Sequence, residues 1–469
     1  MYRFPFEKKN ISLKKTAIIL NENIQLTYSE LLLKVSDISN LITSRSICLI
    51  KASNDLESLL IYLACLKKKS IAIIIDNNTR ESSFLEIINN FSPSYIFFNK
   101  NNLNNILYKK IYNKFLDNFY EIKKKVNKKI DKDIALLIST SGSTGSVKFA
   151  KLSYENLRSN TLNIIDYLKV SQEDCTISNL PMYYSYGLSI INTHIYSGAK
   201  IILTNKGLID KKLINLIKQY PITNFNGVPF TYEILFKFKL QKYYLSKLSF
   251  LTQAGGKIKK EYFDKIINTL GKANTKFFIM YGQTEASPRM SYYLVKNKTF
   301  KNGVIGKAIK GGKFYLLNHH NKIISKPNTI GRLIYEGPNI FLGYANNYLD
   351  MKNNQSSLRS LDTGDLAKFN TKNQYILVSR DSRFVKIEDK RINLDDIELK
   401  FQQNGLDVLC TAENHIYIWH TYKNIDIEKI YIVIKENFLI TKRSIQIKYI
   451  NSFPKNSSGK ILYKELYDQ

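Results

Sequence analysis

The sequence predicts an α/β protein: a large N-terminal α/β domain, residues 1–380, and a small C-terminal α+β domain, residues 381–469. Three observations carry this. At 469 residues the chain is about three times the ~150-residue length that serves as a prior for one domain. Compact apolar runs alternate with amphipathic stretches through most of it. Past Arg380 the texture changes to shorter mixed segments, which puts the boundary between Arg380 and Arg383.

The elements follow in order. Ile71–Ile75, Ile134–Ile138, Lys200–Leu203 and Lys276–Met280 have the length and apolarity of buried strands. From Lys100 to Lys132, Lys and Asn are interleaved with Leu, Ile, Tyr and Phe at helix-like intervals, so this run predicts a helix with one solvated face. Ser153 can cap a helix whose Leu157, Ile164, Ile165 and Leu168 share a face. In the small domain, Ile416–Trp419 and Ser444–Ile450 read as strands and the tail ILYKEL as a helix. No internal repeat is evident.

Composition narrows the function classes. Hydrophobic content of 44% and aromatic content of 12% exclude a disordered chain. The longest apolar runs, such as IAIII before Asp76, are far short of the ~20 residues that span a bilayer. The N-terminal MYRFPFEKKN lacks the pattern of a secretory signal. Four scattered cysteines without CxxC spacing fit reduced thiols, so the expected location is the cytoplasm, with no integral membrane segment. The net charge of +31 is spread along the chain rather than gathered in a stripe, and nucleic acid is not an expected partner. The five histidines show no metal-ligand spacing, which argues against a zinc site or a His triad.

The chemistry is concentrated in ALLISTSGSTGSVKFAKLSYENLRSN. A buried strand runs into Thr140, Ser141, Gly142, Ser143, Thr144 and Gly145, with Lys148 just beyond. Small residues let backbone N–H groups and hydroxyls approach phosphate oxygens, and Lys148 adds a cation. A flexible Ser/Gly linker is the competing reading, and the strand-loop-strand setting tells against it. The spacing is not that of a standard P-loop.

This loop resembles the signature of the acyl-adenylate-forming superfamily: acyl-CoA synthetases, peptide-synthetase adenylation domains and luciferases. Further motifs similar to that family's recur in its order: LTYSEL from Leu26, LPMYYSYGLS from Leu180, QAGGKI from Gln253 and MYGQTEA from Met280. They continue with GRLIYEGPNIFLGY from Gly331, DTGD at Asp362–Asp365, SRDSRFVKIEDKRINLDDIE from Ser379 and FPKNSSGKILYKEL from Phe453.

The resemblance implies an ATP site. It would be formed by Thr140, Ser141, Gly142, Ser143, Thr144, Gly145, Lys148, Gly255, Gly256, Tyr281, Gly282, Gln283 and Thr284, with Asp365 and Arg380 on the ribose. An aromatic face at Tyr281 can stack on adenine, and Gly282 clears the backbone beside it. Glu285 and Thr144 are implied as magnesium ligands, since a carboxylate beside a triphosphate is costly without a metal between the charges. Lys460 is implied as the catalytic lysine, a cation between the attacking carboxylate and the α-phosphate. The small domain is implied to be mobile, closing on the large one.

The implied reaction is ATP-dependent activation of a carboxylic acid to an acyl-adenylate, followed by transfer to the thiol of CoA. The alternative acceptor is the phosphopantetheine of an acidic acyl carrier protein, which the positive balance would suit. Three positions depart from the family's pattern. Tyr184 stands where many acyl-CoA synthetases have a histidine, and Ser382 where the hinge residue is usually Asp or Lys. Asp389 replaces a glycine after Lys386 in the loop implied to line the thiol tunnel. In the expected substrate pocket, around Tyr184, Ser185 and Gly187, Ser185 takes the place of the aspartate that pairs with an amino-acid substrate's ammonium group. A buried ammonium without that partner costs several kcal/mol. With Met182, Tyr183, Tyr186, Leu188, Phe225 and Val228 nearby, the expected substrate is a non-amino acid, fatty or small and hydroxylated.

Overall fold

A computed structural model describes residues 4–6, 11–98, 108–123, 130–140, 148–271, 274–296, 299–352, 360–380, 383–388, 390–438, 440–455 and 461–467. The chain forms two compact units, one from residues 1–314 with 335–361 and the other from 315–334 with 362–469.

The first unit carries the strands expected from the apolar runs. In one sheet, Ile47–Ala52, Ile71–Asp76 and Ile134–Ser139 lie side by side in parallel, with Tyr95–Phe97 on the far side of Ile47–Ala52. Their residues are buried on both faces, as parallel strands flanked by helices must be. Antiparallel strands extend this sheet at both edges: Phe149–Ser153 and Tyr344–Ala345 on one side, Leu116–Ile122 and Tyr108–Asn113 on the other. In another sheet, parallel Asn224–Gly227, Phe250–Gln253 and Lys276–Gly282 are followed by antiparallel Arg289–Leu294 and Val304–Ala308. Thr16–Ile19, Gln25–Thr27, Cys175–Ile177 and Lys200–Ile202 form a smaller sheet.

The stretch between Lys100 and Lys132 is not a helix where it is described: Tyr108–Asn113 and Leu116–Ile122 form a hairpin. Tyr108, Leu116, Phe119 and Tyr120 face the core, and these aromatic and aliphatic residues suit a half-buried sheet edge better than a solvated helix. The helix Tyr154–Leu168 does start as expected. Ser153 accepts from the Asn156 N–H, and the Asn156 side chain accepts from the Ser153 N–H in return. Leu157, Ile164 and Leu168 are buried on its inner face and Ile165 is half-buried.

In the second unit, Leu361–Phe369 pairs with Tyr375–Arg380, and Phe384–Ile387 forms a hairpin with Lys390–Asn393. Val408–Ala412, Ile416–His420 and Ile445–Tyr449 make a three-stranded sheet. The helices Leu394–Gln403 and Ile427–Phe438 bury Ile397, Phe401, Ile430 and Ile434 in one core with Ile416 and Ile418. Among the described residues of the tail, Tyr463–Leu466 form a 3-10 turn in place of the expected helix, a run too short to hold a full α-helix. The four cysteines are buried free thiols. Among the described residues no helix is long and apolar enough to cross a membrane.

Candidate active site

The strand Ile134–Ser139 delivers Thr140 to one end of the glycine-rich loop, and Phe149–Ser153 receives the chain at the other. Register pairs Ser139 with Phe149. The Thr140 N–H donates to the Lys148 carbonyl at 3.1 Å, closing the base of the loop. Ser141, Gly142, Ser143, Thr144 and Gly145 lie outside the described residues. Lys148 Nζ stands 3.7 Å above the ring centroid of Tyr344, a residue that the sequence argument passed over. Tyr344 is placed there by pairing with Ala150 on the same strand that follows the loop.

The Tyr344 hydroxyl donates to Glu285 Oε1 at 2.8 Å. Burial, and then the Glu285 carboxylate, push this hydroxyl well above the ordinary phenol range, so it remains a donor at neutral pH. Glu285 sits in the short 3-10 turn Thr284–Ala286 that follows the strand Lys276–Gly282. The Phe341 N–H donates to the Glu285 carbonyl at 2.9 Å and holds the turn from behind. Thr284 Oγ1 lies 3.2 Å from Ser185 Oγ, at the start of the helix Ser185–Ser197. Thr140, Lys148, Tyr344, Glu285, Thr284 and Ser185, read from four separate stretches, are thus linked by direct contacts. Glu285 offers carboxylate oxygens, the hard donors that magnesium takes, and Thr284 adds a hydroxyl beside them. Among the described residues no group of three or more His, Cys, Asp or Glu gathers as an all-protein metal cage.

Around this line the expected residues have distinct surroundings. Tyr281 ends its strand buried, its ring 6.2 Å from that of Phe314. Gly282 must be glycine, because a Cβ there would stand 1.7 Å from the Pro288 carbonyl oxygen. Gln283 precedes the turn in extended conformation. Gly255 adopts φ +83°, and a Cβ on it would meet the Tyr184 hydroxyl at 2.8 Å; Gly256 beside it is exposed and its carbonyl accepts from Gln253. Gly187 backs onto the Pro181 carbonyl, where a Cβ would come within 2.2 Å. Met182, Tyr186, Leu188 and Phe225 are buried, and Phe225 packs on Tyr232 and Tyr244.

Arg289 is the second residue that the sequence argument missed, although it lies four positions past Glu285. It is 3% exposed, its guanidinium lies 4.4 Å over the Tyr186 ring, and Nη2 donates to Ser189 Oγ at 3.2 Å. Of the buried histidines, His194 is a core residue: Nδ1 meets the Ile190 carbonyl and Nε2 the Asn224 amide, and burial depresses its pKa.

In the second unit, Asp365 and Arg380 face each other across paired strands, with Nε 3.4 Å from Oδ1. Within the strand that carries Asp365, Gly364 takes φ +68°, and its N–H donates to Asp362 Oδ1. Asp365 itself is 6% exposed and its N–H donates to Thr363 Oγ1. Lys386 pairs with Arg391 in the hairpin. Asp389 and Lys460 lie outside the described residues. Glu388, at φ +49°, turns that hairpin, and its carboxylate accepts from Thr441 and Ser444.

The comparisons with known proteins agree on a class. The family model for AMP-binding enzyme matches residues 7–345. The chain is 25% identical to 4-coumarate-CoA ligase 1 of Narcissus pseudonarcissus, over 71% of this chain and 64% of that protein. It is 29% identical to bacitracin synthase 3 of Bacillus licheniformis over 57% of this chain and 4% of that one. Its fold is similar to that of ATP-bound MatB from Rhodopseudomonas palustris, with a TM-score of 0.78 at 18% identity, covering 99% of this chain and 97% of that one. The chain belongs to the AMP-binding enzyme family. It spans a little under two thirds of the ligase that it matches.

Proposed function

We propose that the protein is an AMP-forming acid–thiol ligase. A carboxylate oxygen of the substrate attacks the α-phosphorus of ATP, the bond to the bridging oxygen breaks, and pyrophosphate leaves with that electron pair. A thiolate then attacks the acyl carbon, the carbon–oxygen bond to AMP breaks, and the thioester is released. The observation that carries this reading is the line Lys148–Tyr344–Glu285–Thr284 at the base of the glycine-rich loop.

Each side chain has a task in the first step. Lys148, with Thr140 and Ser141–Gly145, would bind the β- and γ-phosphates. Tyr344 fixes Lys148 from below and donates to Glu285, so the cation and the carboxylate are both held without pairing to each other. Glu285, with the Thr144 hydroxyl, would hold magnesium, which supplies charge neutralisation on the phosphates. Thr284 would donate to the α-phosphate, Tyr281 with Gly255 and Gly256 would border the adenine, and Asp365 with Arg380 would hold the ribose. Lys460 would stand between the carboxylate and the α-phosphate as charge develops there.

Pyrophosphate exchange across a panel of carboxylic acids tests the reading, and no exchange with any acid overturns it. Glu285→Gln and Lys460→Ala should each lower exchange by on the order of a hundredfold or more while leaving the fold intact by circular dichroism. For the acceptor, CoA and a phosphopantetheinylated acidic carrier protein are supplied in parallel to preformed acyl-AMP. Asp389 places a charge where relatives present bare backbone, so the carrier should be preferred and Asp389→Gly should raise turnover of CoA. Equal use of CoA by both forms would remove that part of the reading.

A further inference from the structure

The surroundings of Arg289 are unusual for a buried cation. Among the described residues no carboxylate pairs with it, and its Nε is buried without a hydrogen-bond partner. A guanidinium carries five N–H donors, and an uncompensated buried charge is strongly disfavoured. Its position is nonetheless fixed. The Arg289 carbonyl accepts from both Asn160 Nδ2 at 2.8 Å and Asn339 Nδ2 at 2.7 Å, and the Arg289 backbone N–H donates to Asn160 Oδ1 at 3.4 Å. Three tyrosines lie close to the same cation. Tyr186 lies under the guanidinium. Burial raises Tyr167 to about 12 against the lowering effect of Arg289, and it raises Tyr184 against the same charge.

The helix Ser185–Ser197 relates this cation to the proposed reaction centre. Ser185 reaches Thr284, and Ser189, four residues on and on the same face, reaches Arg289. Four residues of helix advance by about 6 Å. Resting on the ligase reading above, Arg289 therefore lies roughly one helical turn from the residue assigned to the α-phosphate, on the side of the aromatic residues expected to receive the acyl group.

We infer that Arg289 is a specificity-determining residue that selects a short acid carrying a second anionic group on its acyl portion, a dicarboxylic acid being the simplest case. A carboxylate would take up the Nε–H that is left without a partner and compensate the buried charge, with the bidentate geometry that arginine favours. The same cation disfavours a substrate with an α-ammonium group. The pocket is thus not only apolar, as Met182, Tyr186 and Leu188 alone suggest.

The test is pyrophosphate exchange with succinate, glutarate and adipate, each against butyrate, valerate and hexanoate. At least one dicarboxylate should exceed its matched monocarboxylate by tenfold or more in kcat/KM. Arg289→Met should reverse that preference and Arg289→Lys should restore part of it, both variants being checked for native circular dichroism. Preference for the monocarboxylates throughout, or an equal loss on both classes in Arg289→Met, overturns the inference while leaving the ligase reading intact. If neither variant folds, protection of wild-type protein against thermal unfolding by dicarboxylate plus ATP, set against monocarboxylate plus ATP, decides. Equal protection overturns the inference. Exchange with no acid of any kind removes the ligase reading, and this one with it.

Discussion

Arg289 in the first unit and Arg383 in the second are both withdrawn from solvent, at 3% and 9% exposure, yet they are satisfied in opposite ways. Arg383 gives Nε to Asp395 at 2.7 Å, Nη1 to the Cys410 carbonyl at 2.6 Å and Nη2 to Glu398, and its guanidinium lies 4.2 Å over the Tyr463 ring. Burial would depress its pKa, but Glu398, Tyr463 and Asp395 reverse that and push it far above the ordinary range. Every face of the group has a partner within its own unit. Arg289 also lies against a tyrosine, but its side chain meets the hydroxyls of Ser189 and Tyr167 and, among the described residues, no carboxylate. The first pattern holds a fold together; the second leaves a buried cation that no carboxylate among the described residues neutralises.

Removing each arginine is the strongest way to break this comparison. Arg383→Met leaves Glu398 and Asp395 without their cation, and breaking one side of a buried pair costs about 3–5 kcal/mol. The loss can be read from the fluorescence of Trp419, the single tryptophan, whose Nε1 donates to Thr411 in the small sheet of that unit. Arg289→Met strands no described carboxylate, so its unfolding free energy by far-UV circular dichroism should stay within about 1 kcal/mol of wild type. Equal destabilisation by the two substitutions would make both arginines structural.

A smaller effect separates Arg289 from the segment that carries it. Gly282→Ala places a methyl group against the Pro288 carbonyl oxygen, one residue before Arg289, with backbone rather than a flexible side chain in the way. Overpacking of this kind costs about 1–3 kcal/mol. It should also lower exchange with all acids alike, because the turn bearing Thr284 and Glu285 moves with Gly282. A selective loss on dicarboxylates alone in this variant would contradict the division of labour drawn between the turn and Arg289.

How much of this was legible in the sequence depends on the range of the interaction. The Ser153 cap, the strand at Ile134–Ser139 and the ordered motifs rest on neighbours in the chain, and short-range chemistry specifies them. Tyr344 and Arg289 do not announce themselves in this way. Tyr344 meets Glu285 across 59 positions, and Arg289 meets Ser189 across 100, so their roles follow from topology. Tyr344 ends a motif and Arg289 follows one, which was the available signal. The hairpin at Tyr108–Ile122 was misread because lysines interleaved with aromatic residues satisfy a helical and an alternating pattern about equally, and only packing on Tyr95–Phe97 decides between them.

A pH-dependent effect concerns the carboxylates that Arg289 lacks and Arg383 has. Burial pushes Glu398 up to about 7, against the charge of Arg383, the Cys410 N–H and the Tyr463 hydroxyl, all of which favour its ionised form. An unfolded glutamate titrates near its ordinary 4.5, so between that pH and about 7 the folded unit holds a proton that the unfolded chain has released. Stability from this group is therefore greatest below pH 4.5, falls as pH rises through the window, and levels off above about 7. Moving this titration from 4.5 to about 7 corresponds to a change of about 3 kcal/mol across the window. Glu398→Gln cannot titrate, so the difference in unfolding free energy between pH 5 and pH 8, read from Trp419, should shrink toward zero relative to wild type. An unchanged difference in that variant would place the titration elsewhere in the unit and leave Glu398 ionised throughout, a permanent counter-charge to Arg383.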